Sequence, residues 1–329
     1  MSAPDDAAVP VAPNRTGALV GADAERAGPS GTAAAELQAG TQTGVTPLTP
    51  DPPAGRRKRG KGVVYWFCLG WLALVVLAAI AANWLPLPDP NAIDIINKTA
   101  PPFSEGHLLG TDGLGRDILS RLAYGARVSL VISVAAVAVG IIVGGTLGMV
   151  VGYFRGRLET AVMAVIDVIL AFPGLVLLLA LVAFVGQSLL AITVVIGFLS
   201  IPVYTRVARA ATLAVSQREY VLAAGLMGGK TTRILFREIM PNVILPVAAF
   251  GLIALGVVIV LEGSLAFLGL SVEAPAATWG SMIAEGKRHL DDAIHIALIP
   301  SVVMFLTVLS LNLVGDVLRS RFDVREANL

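Results

Sequence analysis

Three groups of residues have types and spacings that could do chemistry. The stretch AAGLMGGKTTRI at 223–234 holds GGKT, the ending of a phosphate-binding loop, G-x-x-x-x-G-K-[ST], whose backbone N–H groups cradle phosphates at a helix start. With Gly229-Lys230-Thr231 in place, that loop requires a glycine at 224, where the chain has Ala224; Gly225 comes one residue late. Residues 206–224 show no strand alternation, and the remaining chain leaves no room for an α/β nucleotide domain, so no nucleotide is expected on this chain. The second group is His107, Asp112, Arg116 and Asp117. It lacks the alternating oxygens of a calcium loop, and one His with two Asp is a poor zinc set, so no metal is expected. Gly110, Gly113 and Gly115 instead suit tight turns, with Asp112, Arg116 and Asp117 pairing to hold the loop. The third is Glu262, alone inside an apolar run, where an ionisable group is costly and faces either a bundle interior or a water path. Partnership with an Arg or a backbone group is the equal alternative. No nucleophile, base and orienting group can be assembled, and Cys68, the single cysteine, offers neither a disulfide nor a thiolate metal site.

The elements that must position these residues are membrane helices. Of 329 residues, 56% are hydrophobic and 14% charged, and the mean hydropathy is +0.79, more apolar than a soluble domain can hide. Residues 1–62 begin as an Ala/Pro/Gly/Thr/Asp-rich tail that cannot offset its ordering entropy and end in the basic cluster Arg56–Lys61. Apolar runs follow at 63–85, 128–153, 161–185, 189–204, 243–270 and 294–317, each near the roughly 20 residues that cross a bilayer. The first run exceeds the ~7–15 residues of a signal-peptide core and lies behind too long a prefix, so it is expected to stay as a span despite Ala79-Ile80-Ala81. An all-α, six-span chain results, divided as tail 1–62, first span with its external segment 63–127, and core 128–329. Arg155 and Arg157, then Arg206, Arg209, Arg218, Lys230, Arg233 and Arg237, then Arg319, Arg321 and Arg325 fall in alternate loops, which predicts both termini in the cytoplasm. The same placement makes the basic residues topology determinants and argues against a nucleic-acid surface. Asp167 and Asp316 lie near the cytoplasmic ends, where snorkelling or capping accounts for them, and Pro173 predicts a kink in the third span. His289 and His295 carry no separable signal.

Between the fourth and fifth spans, 205–242 is long for a connection. Glu219–Ala224 favours helix, Gly228-Gly229 interrupts it, Thr231 or Thr232 is expected to cap a second short helix over Ile234–Met240, and Pro241 is expected to end that helix. This is an elbow projecting from the membrane.

These residues resemble a known motif. Ala223-Ala224 with Gly228 and then Ile239-Met240-Pro241 are similar to the E-A-A-x-x-x-G…I-x-L-P motif of ABC-importer permeases, with Leu222 standing where the motif has its acid and Glu219 one turn away. The stretches 107–117 and 120–130, then 261–270 with Pro275 and Trp279–Met282, then 312–319, are similar to the second membrane subunit of dipeptide and oligopeptide importers, in the same order. The resemblance implies a type I importer permease fold in a bacterial inner membrane and peptide uptake by alternating access; nickel, glutathione or another small solute is the alternative cargo. It implies a partner permease, two ATPase subunits or one two-domain ATPase that hold ATP and Mg, and an extracytoplasmic binding protein. Glu219, Tyr220, Ala223, Ala224, Gly228, Gly229 and Pro241 would meet the ATPase, Glu262 would be a candidate for the translocation path, and His107, Asp112, Arg116 and Asp117 would form an external loop signature. A channel or secondary transporter would explain the spans but not the elbow.

Overall fold

A computed structural model describes residues 62–326, with side chains through residue 320. The expected tail and its basic cluster therefore lie outside the described residues, Gly62 excepted. Among the described residues the chain is helical, with two isolated β-bridges, Ser104 to His107 and Thr111 to Asp117. In order these are α1 (Val63–Ala81), α2 (Ile118–Val139), a π turn at Gly140–Gly144, α3 (Gly145–Phe154), α4 (Gly156–Ala171), α5 (Gly174–Val185) and α6 (Leu189–Ser216). Then come α7 (Glu219–Leu226), α8 (Thr231–Arg233), a second π turn at Ile234–Ile239, α9 (Met240–Phe267), α10 (Trp279–Gly286) and α11 (His295–Glu326).

Five stretches are long and apolar enough to span a membrane: Val63–Ala81, Ile118–Phe154, Leu189–Ser216, Thr231–Phe267 and His295–Ser320. The pair α4 and α5 makes a sixth if counted as one span, but the two meet at 87°. Pro173 thus breaks the third span instead of kinking it. The reason is local: the residue before a proline is pushed out of helical geometry, and Phe172 is extended at φ −76°, ψ 141°. Gly174 then starts a fresh helix, with Leu177 N–H donating to the Pro173 carbonyl.

Two other spans reach further than hydropathy predicts. The second helix starts at Ile118, ten residues before the expected Val128, because the Asp117 carboxylate accepts the Ser120 N–H at 2.7 Å and caps it. The fourth continues beyond Tyr204 to Ser216, since Arg206 pairs with Asp167 at 2.5 Å and Arg209 pairs with Glu159 of α4. Asp167 is thus an interhelical partner, and Asp316 is exposed on α11.

The central packing is a glycine row against α6. Gly140, Gly144, Gly148 and Gly152 face Tyr204, Ile201, Thr205, Ala208 and Arg209, and a Cβ on Gly148 would lie 2.8 Å from that of Ala208. Small residues at this spacing let two membrane helices approach closely, where dispersion and not the hydrophobic effect holds them. A second core forms around Trp279, with Ile118, Leu122, Ala126, Ile259 and Ile296, and seats α10 among α2, α9 and α11.

Candidate functional site

Two sites lie at opposite ends of α9, the first built by its local sequence and the second completed by a residue far along the chain. At the start, α7 is anchored by Val221, buried in one core with Val215, Ile234, Leu235 and Ile239. Its end is a crossed pair of bonds: Gly229 N–H to the Ala224 carbonyl and Gly228 N–H to the Gly225 carbonyl, both 3.0 Å. This is a Schellman ending, which puts its penultimate residue in the left-handed region, and Gly228 has φ +77°. At the next residue a Cβ would fall 2.7 Å from the Ala224 carbonyl oxygen, so Gly229 is also required. Both amides of the Gly-Gly pair therefore point back into α7, and neither is free to cradle a phosphate. Lys230, extended at ψ 140°, leads into α8, and no side chain caps that start, contrary to the cap expected from Thr231 or Thr232.

Pro241 does not end the second arm, which runs unbroken from Thr231 to Phe267. Proline is tolerated here because it falls in the first turn after the wide π turn, where the carbonyl ladder has already shifted register. The Asn242 side-chain amide donates to the Glu238 carbonyl at 2.7 Å and to Tyr220 Oη at 3.1 Å, tying α9 to α7. What the elbow leaves outside is apolar: Leu226 is 89% and Met227 82% exposed, with Tyr220, Leu222 and Phe236 also exposed. Glu219 and Ala223 share that surface, while Ala224 is half-buried.

At the far end of α9, the structure brings together all four residues of the external loop signature. His107 Nδ1 and Asp117 Oδ2 lie 2.9 Å apart. Asp112 accepts the Leu114 and Arg116 N–H groups on one oxygen and Arg116 Nε on the other, at 2.7 Å. Sequence reasoning did not single out two partners that complete this network. Glu285 of α10 accepts from Arg116 Nη2 at 2.8 Å and lies 3.4 Å from Nη2 of Arg121, which is 1% exposed. Arg121 also lies 3.5 Å from Asp112. The pairing spans more than 160 residues of chain, so no local pattern could reveal it. No group of three or more His, Cys, Asp or Glu fit to hold a metal exists among the described residues.

Glu262 sits in α9 on the same side, 1% exposed. Its polar neighbours are the hydroxyls of Thr278, Ser129 and Ser271, and neither carboxylate oxygen has a partner in good hydrogen-bonding geometry. The Arg partner entertained from sequence is absent among the described residues. A close approach of α10 seals it: a Cβ on Gly280 would lie 2.5 Å from Gly263 Cα. Trp279 holds that approach in place by donating its backbone N–H to Ser129 Oγ and its indole N–H to the Leu122 carbonyl, each at 3.2 Å.

With this geometry in view, comparison with known proteins is decisive. Residues 144–327 match the family of binding-protein-dependent transport system inner membrane components. The chain belongs to that family. The permease is 38% identical over 252 residues to the glutathione transport system permease protein GsiD of Pectobacterium atrosepticum, covering 77% of this chain and 83% of that protein. It is 36% identical over 264 residues to the di/tripeptide transport system permease protein DppC of Pseudomonas aeruginosa, covering 78% and 87%. The MetNI methionine ABC transporter, solved in inward-facing conformations, matches with a TM-score of 0.52 at 17% identity, over 61% of this chain and 96% of that chain, a likeness of fold alone. The permease is thus a multi-pass inner-membrane subunit of an ABC importer, with a type I permease fold.

Proposed function

We propose that this permease forms half of a pathway for di- or oligopeptides, working by alternating access with ATP and Mg held by separate ATPase subunits. The observation that carries the reading is the elbow. A short helix pinned by Val221 and closed by Gly228-Gly229 presents Leu222, Leu226 and Met227 outward, and its second arm is continuous with α9. A push on such a surface reaches α9 through packing, because Val221 seats α7 on Ile234, Leu235 and Ile239 of the second arm and Asn242 of α9 bonds Tyr220 of α7. Glu219, Tyr220, Ala223, Ala224, Gly228, Gly229 and Pro241 belong to this coupling surface or to its frame. The ATPase pair moves the elbow, and two permeases rotate so that one cavity changes the side it faces; the chain's work is differential stabilisation of two states.

Peptide cargo is supported by the names of the relatives, one a di/tripeptide and one a glutathione permease, glutathione being itself a modified tripeptide. An apolar hollow of ≈340 Å³ at the α4–α5 bend, lined by Phe172, Leu175, Leu178, Tyr204, Phe250 and Leu261, supports placing the passage along α5, α6 and α9. Glu262 enters this passage only when α9 and α10 part. Both termini are cytoplasmic in this reading, with the elbow, Arg155 and Arg157 on the same side and the 107–121 network outside, facing a binding protein. The division into tail 1–62, first span with external segment 63–127 and core 128–329 goes with it.

The test is purification of the assembled transporter. An ATPase subunit co-elutes with the wild-type chain, and Gly228→Trp leaves ATP hydrolysis running while peptide uptake falls at least tenfold. Normal uptake by that variant sinks the coupling role, and uptake without ATP would favour a channel or secondary transporter. Competition for uptake by dipeptides, glutathione and nickel separates the cargo readings.

A further inference from the structure

A groove between α1 and α2 shares no lining residue with the elbow or with the hollow at the α4–α5 bend. Its walls are Leu72, Val76 and Ile80 of α1 against Leu130, Val131 and Val134 of α2, with Leu255 and Leu311 behind, and it encloses ≈560 Å³. The two walls run antiparallel. Arg127 stands level with Ile80 at one end and Ala135 with Leu72 at the other, a run of about 12 Å at the rise of an α-helix. Val76, Ile80, Val131 and Val134 are exposed, so the groove opens sideways, toward the bilayer of an inner-membrane subunit.

The one charged group on the lining is Arg127. Its Nε donates to the Ala79 carbonyl at 2.9 Å, Nη1 to Asn83 Oδ1 at 3.1 Å and Nη2 to the Ile80 carbonyl at 3.3 Å. These neutral acceptors at the C-terminal end of α1 fix the guanidinium and offset only part of its charge. Among the described residues no Asp or Glu pairs with it. Its level is that of a membrane interface: α1 ends at Ala81, Trp84 is 80% exposed just beyond, and the Tyr124 ring lies 5.5 Å from the guanidinium carbon. A fixed, uncompensated cation at headgroup depth above an apolar slot calls for an occupant that is anionic at one end and hydrocarbon below it. A helix of another chain is the wrong shape, because a cylinder about 10–12 Å across fills this volume in roughly one turn.

We propose that this groove is a binding site for an anionic phospholipid, with the phosphate on Arg127 and one acyl chain lying along α1 and α2 toward Ala135. The site stands on the membrane location of the family and not on the peptide or coupling readings. The probe is phosphatidylglycerol against phosphatidylethanolamine, supplied as mixed micelles to the intact transporter and read by native mass spectrometry. The wild-type complex retains phosphatidylglycerol at least tenfold more than phosphatidylethanolamine. Arg127→Gln abolishes that preference, and Val131→Trp, which fills the slot from an exposed wall, removes retention of both. Asn83→Ala loosens the end of α1 without touching the charge and keeps the preference, which separates lipid recognition from disturbance of the helix. Equal retention of the two lipids by the wild-type complex, or an unchanged preference in Arg127→Gln, overturns the proposal. So does unchanged lipid retention in Val131→Trp accompanied by loss of the second membrane subunit, which would assign the groove to a helix.

Discussion

The two ends of α9 are built on opposite principles. At the elbow the framework is backbone: two crossed hydrogen bonds, a left-handed glycine and one buried valine hold a surface whose other side chains face out. At the far end the framework is charge: Asp112, Arg116, Arg121 and Glu285 sit interlocked, with Arg121 almost wholly enclosed. A surface proposed to be gripped by a partner leaves its apolar side chains outward, so its own rigidity comes from the main chain. A loop network that fixes the start of α2 against α10 uses side chains instead, and each carboxylate there keeps two guanidinium groups from being buried without a counter-charge.

Substitutions can break that contrast. The largest effect is expected from Asp112→Ala, which strips Arg116 Nε and two backbone amides of their acceptor; a loss of about 3–5 kcal/mol, the cost of breaking a buried pair, should appear as a sharply lower unfolding midpoint of the purified transporter. An unchanged midpoint would falsify the view that charge holds this end. Gly148→Leu attacks the packing between the ends, and forcing α3 off α6 should cost about 1–3 kcal/mol by the same measurement. Gly228→Ala meets open space but must hold φ +77°, so about 1–2 kcal/mol of strain is expected, visible as faster proteolysis of 219–230 while the global midpoint barely moves. Leu226→Asp, at a fully solvated position, should stay within about 0.5 kcal/mol in stability yet strip the ATPase subunit from the complex; retention of that subunit would deny the elbow its partner.

The smallest effect concerns pH. The Asn97 side chain first, then the Asn97 and Ile96 backbone amides, hold the exposed Asp94 carboxyl below the usual carboxylate range. A depressed acid contributes stability that is present above its unfolded value and lost as pH falls through its folded one. Acidification should therefore loosen the 94–97 turn that packs on Gly115, and Asn97→Ala should shift that loosening to higher pH, followed by hydrogen exchange in the turn.

Much of this was legible in the chain. Hydropathy located the five unbroken spans found among the described residues, and the apolar run of the bent α4–α5 pair, because a bilayer imposes a length and a composition that local sequence must meet. The false nucleotide loop was equally legible from Ala224. The span ends were not, since helices that enter water continue wherever a cap or a distant ion pair sustains them, as Asp117 does for α2 and Glu159 for α6. Pro241 and Pro173 invite the same reading and behave differently: one falls after a π turn in a first helical turn, the other follows an extended residue and is succeeded by a glycine. Local propensity cannot rank those outcomes, because the register of the preceding carbonyls decides them.

By itself, then, the sequence determined membrane class, span order, the elbow and its Gly-Gly break, for these depend on composition and on backbone freedom at named positions. Only the tertiary structure decided that Glu285 completes the Asp112–Arg116–Arg121 network, that Glu262 is enclosed beneath α10 with no hydrogen-bond partner among the described residues, and that Arg127 tops an apolar slot. Each joins residues from helices far apart in the chain, and partners brought together by packing leave no period or spacing to read.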